Sequence, residues 1–183
     1  MNYLSPEGVI PEKQLDVPWE TCYSMNGWGW RKEGTYKSSK RIISTFIEVV
    51  AKGGNFLLGV GPTAQGTIDP EATDRVDTIG RWLEKNGEGI YSTVRAEHYN
   101  DGPVWFTADK DGQTLYAFYA LPEKVEEVPE VIEWTTNLPS DGKVYLLSNG
   151  KRVKCQIQEN RVILHLPKNL DRTESIGFVF RVK

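Results

Sequence analysis

The feature that most constrains this chain is a change of period near residue 92. Before it, apolar residues recur at helical spacing between short apolar runs. After it, they alternate in short runs separated by turn signals, and no helical period returns. One uniform class of fold cannot satisfy both patterns. The prediction is an α/β part followed by an all-β part, divided as 1–92 and 93–183. The length of 183 residues suffices for two small domains, and for a hydrophobic core that needs no disulfide framework.

The N-terminal part is read as follows. Pro6, Pro11 and Pro18 are too closely spaced for a helix, so residues 1–18 are expected as an extended loop. A run at 19–25, with Trp19, Thr21, Cys22 and Tyr23, suits a strand. Asn26-Gly27-Trp28-Gly29-Trp30 then turns as a loop. Ile42, Ile43, Phe46, Ile47, Val49 and Val50 predict a helix over 38–52, ended by Gly53-Gly54. The unbroken apolar run 55–60 fits a strand buried on both faces, as in a parallel sheet. Asp69, Pro70 and Glu71 start a second helix with a cap, a favoured first residue and a charge suited to the helix dipole. Its stripe is Ala72, Val76, Ile79, Trp82 and Leu83, and Asn86-Gly87 closes it.

In the C-terminal part, strands at 104–108 and 114–120 flank the turn Asp109-Lys110-Asp111-Gly112-Gln113. Those at 144–148 and 152–158 flank Asn149-Gly150. With 131–135, 161–166 and 176–182 they make six or seven short antiparallel strands, which predicts an antiparallel β-sandwich.

Composition excludes several classes. No run approaches the ~18 apolar residues of a membrane span, so no membrane is expected. A net charge of -3 argues against nucleic acid as a partner, since a nucleic-acid groove depends on a basic field. Two cysteines and two distant histidines, His98 and His165, give neither a zinc site nor any expected metal. The first residues carry no basic and apolar leader, so a cytoplasmic default holds only if Met1 is the natural start, and localisation stays open.

Three features could carry chemistry. Gly59-Val60-Gly61-Pro62-Thr63 follows a strand, but it lacks a Gly-Lys-Ser/Thr, and Pro62 removes an N–H donor, so a tight turn explains it better than a phosphate cradle. Trp19, Trp28 and Trp30 fall within twelve residues. Such rings pack either in a core or against the C–H faces of sugars. Glu7, Glu12 and Glu20 lie just ahead of that cluster. A retaining glycosidase sets two carboxyl groups ~5–5.5 Å apart, one attacking carbon and one moving protons. Surface glutamates beside proline turns are, by the plainer reading, simply solvated.

Four blocks carry a resemblance: Pro18-Trp19-Glu20-Thr21-Cys22; Trp28-Gly29-Trp30; residues 53–63 with Gly66-Thr67-Ile68 and Pro70; and residues 82–91. In this order and spacing they resemble the family 29 α-L-fucosidases, retaining exo-hydrolases that release terminal L-fucose. The resemblance implies that residues 1–92 are the last βα units of a (β/α)8-type barrel, followed by that family's C-terminal β-sandwich. It implies no cofactor, and fucosylated glycans or glycosides as substrates. Ser5-Pro6-Glu7 resembles the segment bearing the general acid/base, so Glu7 is the catalytic candidate. Trp28 and Trp30 match the family's Trp-Gly-aromatic motif at the fucose. Glu20 is either substrate-proximal or a structural acceptor. Gly59 stands where the family often has Asn, and the linker before Trp28 is shorter by one residue.

The nucleophilic aspartate and the fucose-binding histidines of that family lie upstream of the matching region. The chain is therefore expected to be a C-terminal fragment, inactive alone. Its N-terminal half is expected to need the missing upstream barrel segment, or a self-association partner, to cover its apolar strands. The competing expectation is a non-catalytic module that binds carbohydrate or a protein partner through the sandwich and the tryptophan loop.

Overall fold

A computed structural model describes residues 3–182. Its elements, in order, are β1 (Glu20–Ser24), α1 (Ser39–Ala51), β2 (Asn55–Gly59) and α2 (Pro70–Asn86), then a 3-10 turn at Gly87–Gly89. Eight strands follow: β3 (Val94–Asp101), β4 (Val104–Ala108), β5 (Thr114–Tyr119), β6 (Val131–Trp134), β7 (Val144–Leu146), β8 (Arg152–Gln158), β9 (Arg161–His165) and β10 (Ile176–Arg181).

β1 and β2 pair in parallel, with Glu20 opposite Asn55 and Cys22 opposite Leu57. The expected loop ahead of β1 is partly strand-like. Parallel bridges join Leu4 to Trp19 and Glu7 to Cys22, and the Gly8 amide donates to the Cys22 carbonyl at 2.8 Å. α1 begins where Ser38 Oγ accepts from the Arg41 amide at 3.1 Å. It ends at Gly53, whose φ of 76° is open to glycine and strained for other residues. Asp69 caps α2 as expected, with Oδ1 accepting from the Glu71 amide at 2.9 Å.

β2 departs from its expectation of burial on both faces. Phe56 and Leu58 turn inward to a cluster with Tyr23, Met25, Ile42 and Ala72, whereas Leu57 is 52% exposed. Helices cover one face of the parallel strands, and among the described residues nothing covers the other. An unbroken apolar run records that both faces are unsuited to water, not that both are covered here.

The all-β part is one antiparallel sheet of eight strands in the order β3-β4-β5-β10-β7-β8-β9-β6. The predicted sandwich of two separate sheets is not what forms: the strands make one continuous sheet that curls toward a barrel. β8 pairs β7 through Arg152 and Val153, then β9 through Lys154 to Gln158, and so carries the sheet around a corner. The two ends approach closely enough that Asp101, on β3, accepts from the Thr135 amide at 2.6 Å and its hydroxyl at 2.8 Å. Inside the curled sheet Trp134 stands edge-on to Phe106 and stacked on Phe180, with centroids 5.8 Å away in each case. β3 escaped the sequence reading because its residues, VRAEHYND, follow no alternation and it is an edge strand with a register break between Arg95 and Asn100.

The two parts share a core. Tyr116 and Phe118 of β5 face outward and meet Ile43 and Ile47 of α1 and Trp82 of α2. Trp82 lies 5.9 Å from Phe118 between ring centroids, and its indole N–H donates to the Ser175 carbonyl at 2.8 Å. The buried Lys52 ties in the N-terminal loop. Its ammonium bonds Glu48 at 2.6 Å and the Pro11 carbonyl at 2.9 Å, and lies 5.4 Å over the Trp105 ring.

Two outcomes follow from this shared core. Trp82→Ala removes a buried ring and orphans a carbonyl, so urea titration should show a loss of about 3–5 kcal/mol. Far-UV and tryptophan signals should still report one coincident transition. The second outcome concerns Tyr116. Burial first, and then the Glu88 carboxylate beside it, push its hydroxyl from the ordinary 10 up to about 12. Its stabilising contribution is present below pH 10 and is lost as pH rises through about 12. Tyr116→Phe should flatten stability against pH across that window.

Candidate functional site

Neighbours in register on parallel strands turn their side chains to the same face. The bridge from Glu7 to Cys22 and the pairing of Cys22 with Leu57 therefore place Glu7, Cys22 and Leu57 in one row across the uncovered face. One row toward the strand N-termini stand Ser5, Glu20 and Asn55. There Ser5 Oγ donates to Glu20 Oε1 at 3.3 Å and lies 4.0 Å from Cys22 Sγ. One row toward the C-termini stand Ser24 and Gly59. Glu7 and Glu20 thus share a face but not a row. Glu7 is exposed, while Glu20 is half-buried with a hydroxyl partner.

Beyond the C-terminal ends of β1 and β2 lies a cleft of about 300 Å³, lined mainly by Cys22, Ser24, Trp28, Leu57, Val60 and Pro62. Ligands of parallel sheets bind outside the carboxyl ends of the strands, and this cleft is placed there. A larger hollow of about 860 Å³, between Pro18, Phe46, Phe56 and Tyr91, opens at the opposite strand ends, away from the row that holds Glu7.

The two tryptophans of the loop are placed differently. Trp28 is 68% exposed and forms a wall of the cleft. Trp30 is half-buried and stands outside the cleft lining. Its indole N–H donates to Asp69 Oδ2 at 3.3 Å. Asp69 therefore holds the loop with one carboxylate oxygen and starts α2 with the other. Gly61 supplies the second brace. A Cβ there would overlap the Trp30 amide nitrogen and the Gly29 carbonyl carbon, so the loop rests directly on this backbone. Trp19, the third ring of the sequence cluster, is core. It is fully buried, and its N–H donates to the Lys52 carbonyl at 3.3 Å.

The structure thus brings Glu7, Glu20 and Trp28 to one side of the sheet and sets Trp30 behind them. Four participants were missed from the sequence: Cys22, Leu57, Gly61 and Asp69. The alternation of Glu20, Cys22 and Ser24 within ETCYS signalled Cys22. Asp69 was read only as a helix cap. Nothing in the local sequence pairs Gly61 with Gly29.

The α-L-fucosidase family model matches residues 1–88. The mouse tissue α-L-fucosidase is 38% identical over 123 residues, covering 62% of this chain and 26% of that protein. The plasma α-L-fucosidase of Pongo abelii is 32% identical over 177 residues, covering 90% of this chain and 36% of that protein. The α-L-fucosidase isoenzyme 1 of Paenibacillus thiaminolyticus superposes with a TM-score of 0.81 at 25% identity, over 99% of this chain and 45% of that one. The Thermotoga maritima α-fucosidase, solved in complex with fucose, shares the fold with a TM-score of 0.79 at 23% identity, over 97% of this chain and 42% of its own. The relatives are glycoside hydrolases. Among them, this chain matches the C-terminal portion of the α-L-fucosidases. It spans 26% and 36% of the mouse and Pongo relatives, and less than half of the two solved chains.

The double use of Asp69 gives a measurable outcome. Asp69→Ala should cost about 1–2 kcal/mol from the lost cap. It should also raise the fluorescence anisotropy decay rate of the loop tryptophans, whereas Trp30→Phe should affect only the latter.

Proposed function

We propose that this chain is the C-terminal portion of a retaining α-L-fucosidase and provides the acid/base side of its sugar site. The observation that carries the reading is the row Glu7–Cys22–Leu57, which leads toward a cleft walled by an exposed indole. In this reading the Glu7 carboxyl protonates the glycosidic oxygen as the bond to fucose breaks. It then takes a proton from the water that releases the sugar. Glu20, held by Ser5, positions the strand segment that carries Glu7. Trp28 supplies an aromatic contact to the substrate, Trp30 fixes the loop that presents it, and fucosylated glycans or glycosides are that substrate.

The nucleophile belongs to a part of the enzyme outside these 183 residues. Glu20 cannot take that role, since it stands one strand over and one row back, already bound by Ser5. β1–α1 and β2–α2 are then the last two units of a (β/α)8-type barrel, with the uncovered face directed to its interior. The unpaired edges at residues 4–8 and at β2 await neighbouring strands. A division at 1–92 and 93–183 agrees with a family match that stops at residue 88.

The purified chain should give no turnover of an aryl α-L-fucoside. Co-expression with the N-terminal portion of the Paenibacillus thiaminolyticus enzyme should restore it, and Glu7→Gln should then lower the rate by about 10²–10⁴-fold. Turnover by the chain alone, or a restored rate indifferent to Glu7→Gln, overturns the proposal.

A further inference from the structure

We infer that the outward face of β7, β8 and β10 binds a linear sulfated polysaccharide, separately from the sugar site proposed above. Sheet alternation defines this face. Val144, Leu146, Val153, Phe178 and Phe180 are buried inside the curled sheet, so Tyr145, Arg152, Lys154, Val179 and Arg181 turn outward. Strand pairing then sets them in two rows. The first runs Tyr116, Val179, Tyr145 and Arg152. The second holds Arg181 on β10 and Lys154 on β8, with Lys143, just ahead of β7, falling between them and His165 opposite Lys154 on β9. Neighbouring strands stand about 4.8 Å apart, so the second row is a line of cations and not a point.

Charge marks this face out. The chain has a net charge of -3, yet residues 143–154 hold four cations and no carboxylate. Lys143 is bridged to Asp141 at 3.1 Å. Among the described residues, Lys151, Arg152, Lys154 and Arg181 are exposed and have no carboxylate partner. By contrast Arg75, Arg95, Arg161 and Arg172 are each bridged. Nor is this the side on which further barrel strands would join. The helix layer packs on Tyr116 and Val179 and leaves Arg152 exposed. β8 then turns the corner, so its cations face away from the helices, across which β1 and β2 lie. Cations in line on an open pleated surface suit an extended chain of repeated anions better than one small anion in a cage. The Arg guanidinium groups match the paired oxygens of a sulfate, and Tyr145 offers a ring beside Arg152 for the C–H groups of a sugar. An anionic membrane calls for an apolar anchor, and no exposed large apolar side chain stands beside Arg152, Lys154 or Arg181. A flat sheet face also enters no groove of a nucleic-acid duplex.

The test titrates the full chain into fluorescein-labelled heparin and reads anisotropy. Binding should be saturable at about 50 mM NaCl, should weaken steeply toward about 0.5 M, and should be absent with uncharged dextran. Arg152→Gln combined with Lys154→Gln should weaken it about tenfold. Lys110→Gln combined with Lys124→Gln removes the same charge at exposed positions elsewhere, and should change it by less than about twofold. All four positions are exposed, so both double variants should unfold at the wild-type temperature. No binding by the wild-type chain, an equal loss in the two double variants, or tighter binding of duplex DNA or of phosphatidylserine vesicles than of heparin overturns the inference. None of these readings depends on turnover of a fucoside, so the proposed activity stands or falls separately.

Discussion

The packing of Trp82 against β5 is the contact on which the rest of the structure depends. Its ring fills the space between two helices and the outward face of the sheet, and its N–H satisfies a carbonyl that burial would otherwise orphan. Around it the polar groups are also paired. Asn86 donates to the Trp82 carbonyl at 3.0 Å, Thr107 to the Gly89 carbonyl at 2.6 Å, and the Leu121 amide to Ser175 Oγ at 2.9 Å. A buried, hydrogen-bonded seam of this kind makes the helices part of the sheet's own core. The open parallel strands are thereby held in place from behind, which leaves their other face uncovered among the described residues.

That arrangement explains how a two-stranded parallel pair persists at all. Two strands alone are marginal in water. Here α1 is buried on two sides, giving Ile42 to the parallel strands and Ile43 and Ile47 to the sheet. Lys52 and Gln14 fasten the N-terminal loop to the same framework, the latter by donating to the Ala51 and Ala96 carbonyls at 3.1 and 3.3 Å. Apolar packing lies on one side of the strands, and the row of Glu7, Cys22 and Leu57 on the other.

Local patterns made most of the elements legible in the sequence. The stripe from Ile42 to Val50 located α1, Asp69-Pro70-Glu71 located the start of α2, and Asn149-Gly150 located a hairpin. What stayed hidden depended on partners distant in sequence. β3 is defined by its neighbour β4 and by the Asp101–Thr135 closure, not by any alternation of its own. The corner at β8 arises because one strand changes partners midway, which its own residues do not announce. At the site, the resemblance drew attention to Glu7, Glu20, Trp28 and Trp30. It could not separate an indole bound to Asp69 from an indole left bare. That distinction rests on a bond spanning 39 positions of sequence.

The brace formed by Asp69 and Gly61 also bears on how this site can change over evolutionary time. Loops usually diversify freely because their alterations stay local. Here a change in the conformation of the tryptophan loop is felt at the first turn of α2 through Asp69, and at the end of β2 through Gly61. α2 carries Trp82, so such a disturbance reaches the seam that holds the molecule together. Backbone remodelling of this loop is therefore coupled to global stability, whereas an exchange of the exposed Trp28 side chain stays local. A lineage descended from this chain would be expected to vary the residue at that one position while keeping the path of the loop.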